Sequence, residues 1–156
     1  MKLAEALTER KALQERLARL RARLVANARV QEGDVPAEQP EVLLTEIEEA
    51  ASALERLIVR INLTNVAAAV TDEPRLNLMK AVARRDMLKL RFAALAELVA
   101  AAQPNPRAFA VTRSEIRSRP TVDVAETQKR LDALAREIRE LDTQLQAANW
   151  TVELVD

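Results

Sequence analysis

Apolar residues at alternating spacings of three and four recur along four long segments of this chain, and this periodicity constrains the fold most. Such spacing places the side chains on one face of an α-helix. The four stripes are Leu3, Ala6, Arg10, Leu13, Leu17, Leu20 and Leu24; Leu43, Ile47, Ala50, Leu54, Leu57 and Ile61; Leu78, Ala81, Arg85, Leu88, Phe92, Leu95 and Val99; and Val124, Leu131, Leu134, Ile138, Leu141, Leu145 and Ala148. Only one glycine and 2% aromatic residues are available for turns and sheets. The sequence therefore predicts an all-α fold.

The breaks between stripes set the predicted helix bounds at about residues 2–26, 41–65, 75–102 and 123–148, within a single domain of residues 1–156. Gly33 and two prolines fall in the first break, and Asp72 or Asn77 begins the third helix. Asp123 and Glu126 form a capping-box pattern at the fourth. Helices of about 25 residues span nearly 40 Å, which suits antiparallel hairpins or a bundle. The same stripes suit pairing between chains, so we expect an oligomer.

An extended, β-like arm is predicted at about residues 107–122, between the third and fourth helices. It combines β-forming side chains with several arginines. Exposed strand edges commonly pair with another copy of the same chain. A lone tryptophan in the tail, residues 149–156, is usually a packing anchor but is also suited to an interface. The predicted interface residues are Phe109, Val111, Arg113, Ile116, Arg117 and Trp150.

Composition excludes several classes of function. Basic and acidic residues both number 24, so no basic field favours nucleic acid or an anionic membrane. Cysteine and histidine are absent, which removes disulfides, ordinary zinc sites and histidine general-base catalysis. No cofactor is expected. The N-terminal segment acquires charge within its first turns and no apolar stretch is long enough to span a membrane, so we expect a cytoplasmic protein.

A polar layer interrupts the apolar stripes. Arg10 and Arg85 occupy core-like positions, and the segment RINLTN ends the second stripe with Arg60, Asn62 and Asn65. Buried arginine and amide groups cost several kcal/mol unless they are paired. The layer has two interpretations: it fixes helix register and oligomer state, as buried asparagine does in coiled coils, or it binds a small anion such as a carboxylate or phosphate.

Two carboxylate pairs suggest an enzymatic alternative. Glu46 and Glu49 stand three apart on the second helix, and Glu137 and Glu140 repeat that spacing on the fourth. Carboxylates bind magnesium, and all-α pyrophosphatases use acidic helical motifs of this general kind. However, such spacing occurs on most charged helix faces, and the third helix offers no matching motif. We therefore expect no catalytic activity and no bound metal.

The segments KLAEAL, ERKALQERL, NARVQEG, RINLTN, ARRDMLKLR, SEIRSRPTVDV and RELDTQLQAANWT, in this order, resemble the septicolysin-like family of small bacterial helical proteins. The resemblance implies long helical hairpins, a hexameric assembly, and RINLTN and NWT as family features. The family label also implies a pore-forming cytolysin. Against that activity, the chain lacks a glycine-rich insertion loop and a long apolar hairpin.

Three functions follow as expectations. The first is a structural or scaffolding homo-oligomer without catalysis. The second is an oligomer that binds a small anion at the arginine and asparagine layer. The third is the cytolysin that the family label implies.

Overall fold

Four helices dominate the structure, a computed structural model that describes residues 1–71, 76–103 and 119–155. The helices are α1 (Leu3–Ala26), α2 (Pro40–Ala67), α3 (Leu78–Ala102) and α4 (Val124–Thr151). Two short strands, β1 (Ala69–Thr71) and β2 (Leu76–Asn77), form a small antiparallel pair between α2 and α3. The all-α fold predicted from the sequence is confirmed. The predicted β-like arm, residues 107–122, lies mostly outside the described residues.

The first two helices form an antiparallel hairpin. Leu20, Leu43 and Ala50 make its buried centre, and Leu17, Leu24 and Ile47 pack against them. Burying a leucine side chain contributes about 1.5–3 kcal/mol, so this cluster carries much of the hairpin's stability. In the turn between the helices, Gly33 has a φ angle of +94°. Residues that carry a Cβ atom rarely adopt this conformation, whereas glycine does so readily.

A polar staple holds the ends of α1 and α2 together. Arg23 donates to both carboxylate oxygens of Glu38, with Nε 2.9 Å from Oε2. Asn27 donates from its amide to the Arg23 carbonyl and accepts from the Glu38 backbone N–H at 3.0 Å. The hydrogen bond from Arg23 lowers the pKa of Glu38, and the same bond raises the pKa of Arg23. These hydrogen bonds therefore join the end of α1 to the residues just before α2.

The third helix begins directly after Asn77, the competing start that the sequence offered, and not near residue 75. The sequence favoured a start near residue 75, but Leu76 and Asn77 pair with Thr71 and Ala69 as strands, so α3 begins at Leu78. The Leu78 N–H donates to the Ala68 carbonyl at 3.0 Å, which closes this β pair onto the end of α2. The backbone amides that a helix would use are thus committed to the strand pair. The other predicted cap, Asp72, lies outside the described residues.

The last two helices also run antiparallel. Arg91 and Leu95 of α3 line a common hollow with Arg130 and Leu134 of α4. Earlier in α3, Lys89 reaches Asp142, later in α4, at 3.4 Å. The Asp123 half of the predicted capping box is present at the start of α4, because an Asp123 carboxylate oxygen accepts the Glu126 backbone N–H at 3.0 Å, whereas the Glu126 carboxylate lies 3.7 Å from Lys129. Its buried side includes Leu141 and Leu145.

The chain divides into two compact units. One contains Met1–Met79 with Ala147–Asp156, and the other contains Lys80–Gln146. The α1–α2 hairpin and the strand pair belong to the first unit. Most of α3 and α4 makes up the second.

Candidate functional site

The segment RINLTN binds the end of the chain. Arg60 Nε donates to the Val155 carbonyl at 2.8 Å. Thr64 lies one turn further along α2 and is 1% exposed. Its hydroxyl donates to the Arg60 carbonyl at 2.8 Å and accepts the Val155 N–H at 3.0 Å. Arg60 and Thr64 therefore hold both backbone polar groups of Val155, so the polar end of this apolar helix serves the tail.

The N-terminal residues hold the other edge of the tail. Lys2 and Glu153 form an antiparallel bridge, in which the Leu3 N–H donates to the Val152 carbonyl at 3.0 Å and the Leu154 N–H donates to the Met1 carbonyl at 2.9 Å. Leu154 is 7% exposed and Leu3 is 1% exposed. We call the group formed by residues 1–3, Arg60, Thr64 and residues 151–155 the terminal clasp.

Ion pairs close the terminal clasp at the surface. Lys2 Nζ lies 2.6 Å from Glu153 Oε1, and the N-terminal ammonium lies 3.2 Å from Oε2. The hydrogen bonds from Lys2 and from the N-terminal ammonium lower the pKa of Glu153. Lys2 Nζ also donates to the Thr151 carbonyl at 3.0 Å. The clasp consists of backbone pairing and surface charge, which is a structural arrangement rather than a site for chemistry.

The residues of the predicted polar layer have different surroundings. Arg10 is half-buried, and its Nε is shielded from solvent with no hydrogen-bond partner in the described part of the chain. Asn62 is exposed and Asn65 is half-buried. Arg85 donates to Asp86 Oδ1 from Nε and Nη2, at 3.0 and 2.8 Å. The structure brings Arg60 together with Thr64 and Val155, a grouping that the sequence did not indicate.

Three of the four carboxylates in the predicted pairs contact arginines. Glu46 lies 3.7 Å from Arg16, and Glu137 accepts from Arg84. Glu140 accepts from Arg136 Nε at 2.8 Å. Within residues 1–71, 76–103 and 119–155, no group of three or more acidic, histidine or cysteine side chains is placed to hold a metal ion.

Among the predicted interface residues, Trp150 is described and is 65% exposed. Its indole ring is available at the surface of the first unit. Phe109, Val111, Arg113, Ile116 and Arg117 lie outside the described residues.

A second apolar stripe runs along the solvent side of α3. Its largest members are Met87, Leu90 and Leu98, which are 53%, 65% and 40% exposed. We call it the outer stripe: Ala83, Met87, Leu90, Ala94, Leu98 and Ala101, all exposed. The buried residues Leu88 and Val99 face the other way. The sequence carried this signal, because the outer stripe repeats the three-four spacing that identified the inner one.

Together these features define a class: an all-α protein of helical hairpins, with a clasped tail and a helix, α3, that carries a second, exposed apolar stripe. No described helix is long and apolar enough to cross a membrane. The chain belongs to the family of unknown function DUF6847, whose model matches residues 10–154. No curated protein matches the chain. A crystal structure of a functionally unknown conserved protein from Corynebacterium diphtheriae is similar, with 37% identity, a TM-score of 0.87 and 99% coverage of both chains.

The predicted resemblance to the septicolysin-like family is wrong. The family model that covers most of the chain has no known function, and the similar crystal structure is of a protein with no known function. Several of the quoted segments, such as KLAEAL, ERKALQERL and ARRDMLKLR, are rich in Ala, Leu, Glu and Arg, a composition that unrelated long helices share. The hexamer and the cytolytic activity that the label implied therefore lose their basis.

Proposed function

We propose that this protein is a structural helical protein that self-associates and does not catalyse a reaction. The outer stripe of α3 is the observation that carries the proposal. A helix that is apolar on opposite sides is usually covered on both, whereas a surface helix keeps a polar side toward water. Extended exposed apolar patches mark protein or membrane contacts more often than bare surface.

Self-association would cover the exposed side chains of the outer stripe without requiring a different partner protein. Its members continue over about five turns of α3, so a second helix could lie against them along their whole length. Alanine at three of the six positions allows a close approach of two backbones. The ion pairs that Glu46 and Glu137 make with arginines fit a role without catalysis.

The test is absolute mass in solution, measured by light scattering on a size-exclusion column. Wild type is expected to elute as a defined oligomer, and Leu90→Glu is expected to lower the mass because it buries a charge at the contact. Val25→Glu is the matched control, since Val25 is 76% exposed on α1 and away from the outer stripe. Monomeric wild type at every concentration would sink the proposal.

Two further variants locate the contact. Trp150→Ser tests the exposed indole, and deletion of residues 106–120 tests the arm predicted from the sequence. If either variant loses the oligomeric mass while Leu90→Glu keeps it, the contact between copies does not lie on α3.

Arg10 favours a second candidate function, the binding of a small anion. Its buried Nε has no partner among the described residues, and a buried donor without an acceptor costs about 1–3 kcal/mol. A phosphate or carboxylate oxygen would satisfy it. Inorganic phosphate is then expected to raise the melting temperature of wild type but not of Arg10→Met, while Arg139→Met, which removes an exposed arginine, keeps the shift. Equal shifts in all three proteins would show nonspecific ion effects.

A further inference from the structure

The outer stripe of α3 has acidic residues along one edge and basic residues along the other. A helix turns by about 100° per residue. On that geometry Asp86 and Glu97 lie on one side of the stripe, and Arg84 and Arg91 lie on the opposite side. All four are exposed. The stripe is therefore not symmetric: it has an acidic edge and a basic edge.

This asymmetry distinguishes the two ways in which identical helices can pair. In an antiparallel pair each edge meets the same edge of the other helix, so acid would face acid and base would face base. In a parallel pair the acidic edge of each helix meets the basic edge of the other. Charges that flank an apolar seam set partner orientation, and like charges placed together disfavour a pairing.

We propose that α3 pairs in parallel with α3 of a second copy through the outer stripe, with Asp86 of each copy beside Arg91 of the other. This inference rests on the proposed self-association and names its geometry. Both hydrogen bonds that Arg85 makes to Asp86 go to Oδ1. Within the described part of the chain Oδ2 is thus left as an acceptor for the second copy. The Asp86 side chain is 52% exposed.

The spacing of the stripe also specifies the shape of the pair. From Ala83 to Ala101 the apolar positions advance by four, three, four, four and three residues, which repeats after 11. An 11-residue repeat stays close to the natural period of a helix and does not require the left-handed supercoil of a heptad repeat. Two nearly straight helices can therefore remain in contact over this length, about 27 Å at 1.5 Å per residue.

Single-cysteine variants of the full chain test this geometry directly. The protein has no cysteine, so Ala83→Cys and Ala101→Cys each introduce one reporter. A parallel pair in register brings both positions next to their own copies, within the roughly 7 Å that a disulfide allows between Cα atoms. An antiparallel pair can do so at one of them at most. Ala125→Cys, exposed at the start of α4, controls for random collision.

On oxidation, we expect Ala83→Cys and Ala101→Cys to form disulfide-linked dimers rapidly. Ala125→Cys should link slowly or not at all. All three variants should have the mass of an oligomer before oxidant is added. Linkage at one stripe position alone, or at neither, in a protein that still has oligomeric mass would overturn the parallel pairing and leave self-association standing. Monomeric mass would overturn both proposals.

A charge exchange provides a second test. Asp86→Arg places base against base and is expected to weaken self-association by about tenfold or more in the dissociation constant. Adding Arg91→Asp to the same chain reverses the polarity of the contact and should restore most of the affinity. Additive weakening by the two substitutions, without recovery, would contradict a contact between Asp86 and Arg91.

Discussion

Replacement of Thr64 by valine isolates the contribution of the terminal clasp. Valine has nearly the same shape as threonine, so the substitution leaves no cavity beneath the tail. It removes the hydroxyl that accepts the Val155 N–H at 3.0 Å and donates to the Arg60 carbonyl at 2.8 Å. Thr64 is 1% exposed, which prevents water from easily taking the place of the hydroxyl. The Val155 N–H then lacks its acceptor.

The expected loss follows from two opposing effects. A buried donor left without an acceptor costs about 1–3 kcal/mol. The added methyl group returns about 0.8 kcal/mol of burial free energy. We therefore expect Thr64→Val to lower the free energy of unfolding by about 0.2–2 kcal/mol, which corresponds to a fall of up to about 8 °C in melting temperature for a chain of this size.

The assays are thermal and urea unfolding, combined with hydrogen exchange of the Val155 amide. Thr45→Val on the same helix is the matched control, because Thr45 also donates to the carbonyl four residues earlier, at 3.0 Å, but is exposed. Thr64→Ser keeps the hydroxyl and should retain most of the protection at Val155. Equal stability of Thr64→Val and Thr45→Val, with unchanged exchange at Val155, would refute the role assigned to Thr64.

Further predictions concern the core, a cap, a turn and a surface carboxylate. Leu43→Ala should cost about 2–5 kcal/mol in urea unfolding, because Leu43 is 1% exposed in the α1–α2 cluster. Asp123→Ala should cost about 1 kcal/mol by the same measurement, because it removes the cap of α4. Gly33→Ala should cost about 1–2 kcal/mol through its positive φ alone, since an added Cβ would meet no atom within 4 Å. For Glu153 the folded-state pKa is lowered, so its stabilisation is present above the unfolded-state pKa and disappears as pH falls through the folded value. The melting temperatures of wild type and Glu153→Gln should therefore differ at neutral pH and converge in acid; a gap that persists in acid would contradict the ion pairs with Lys2 and the N-terminus.

The cores of the hairpins could be predicted from the sequence because helical periodicity is a local property. Leu20, Leu43 and Leu141 are buried where their stripes place them. The strand pair before α3 could not be predicted from a local pattern. Asn77 suits a helix start, and its pairing with Ala69 depends on the end of α2. The hydrogen bond between Thr64 and Val155 joins residues 91 positions apart, so no local pattern contains it.

The candidate contact surface illustrates a different limit. Both stripes of α3 were visible as three-four spacings, but periodicity alone does not say which one the chain buries. The fold assigns Leu88 and Val99 to the interior and Leu90 to the surface.

Two apolar sides on one helix also affect how α3 folds. While the hairpin with α4 forms, α3 could approach with either side, and rotation of the helix would give a competing, collapsed state. The composition of the two sides makes them unequal. The inner side carries Leu88, Phe92, Leu95 and Val99, whereas half of the outer stripe is alanine. Burying the larger side chains releases more free energy. Enlarging the outer alanines would therefore do more than strengthen a contact: it would reduce the energetic gap that selects the native rotation of α3.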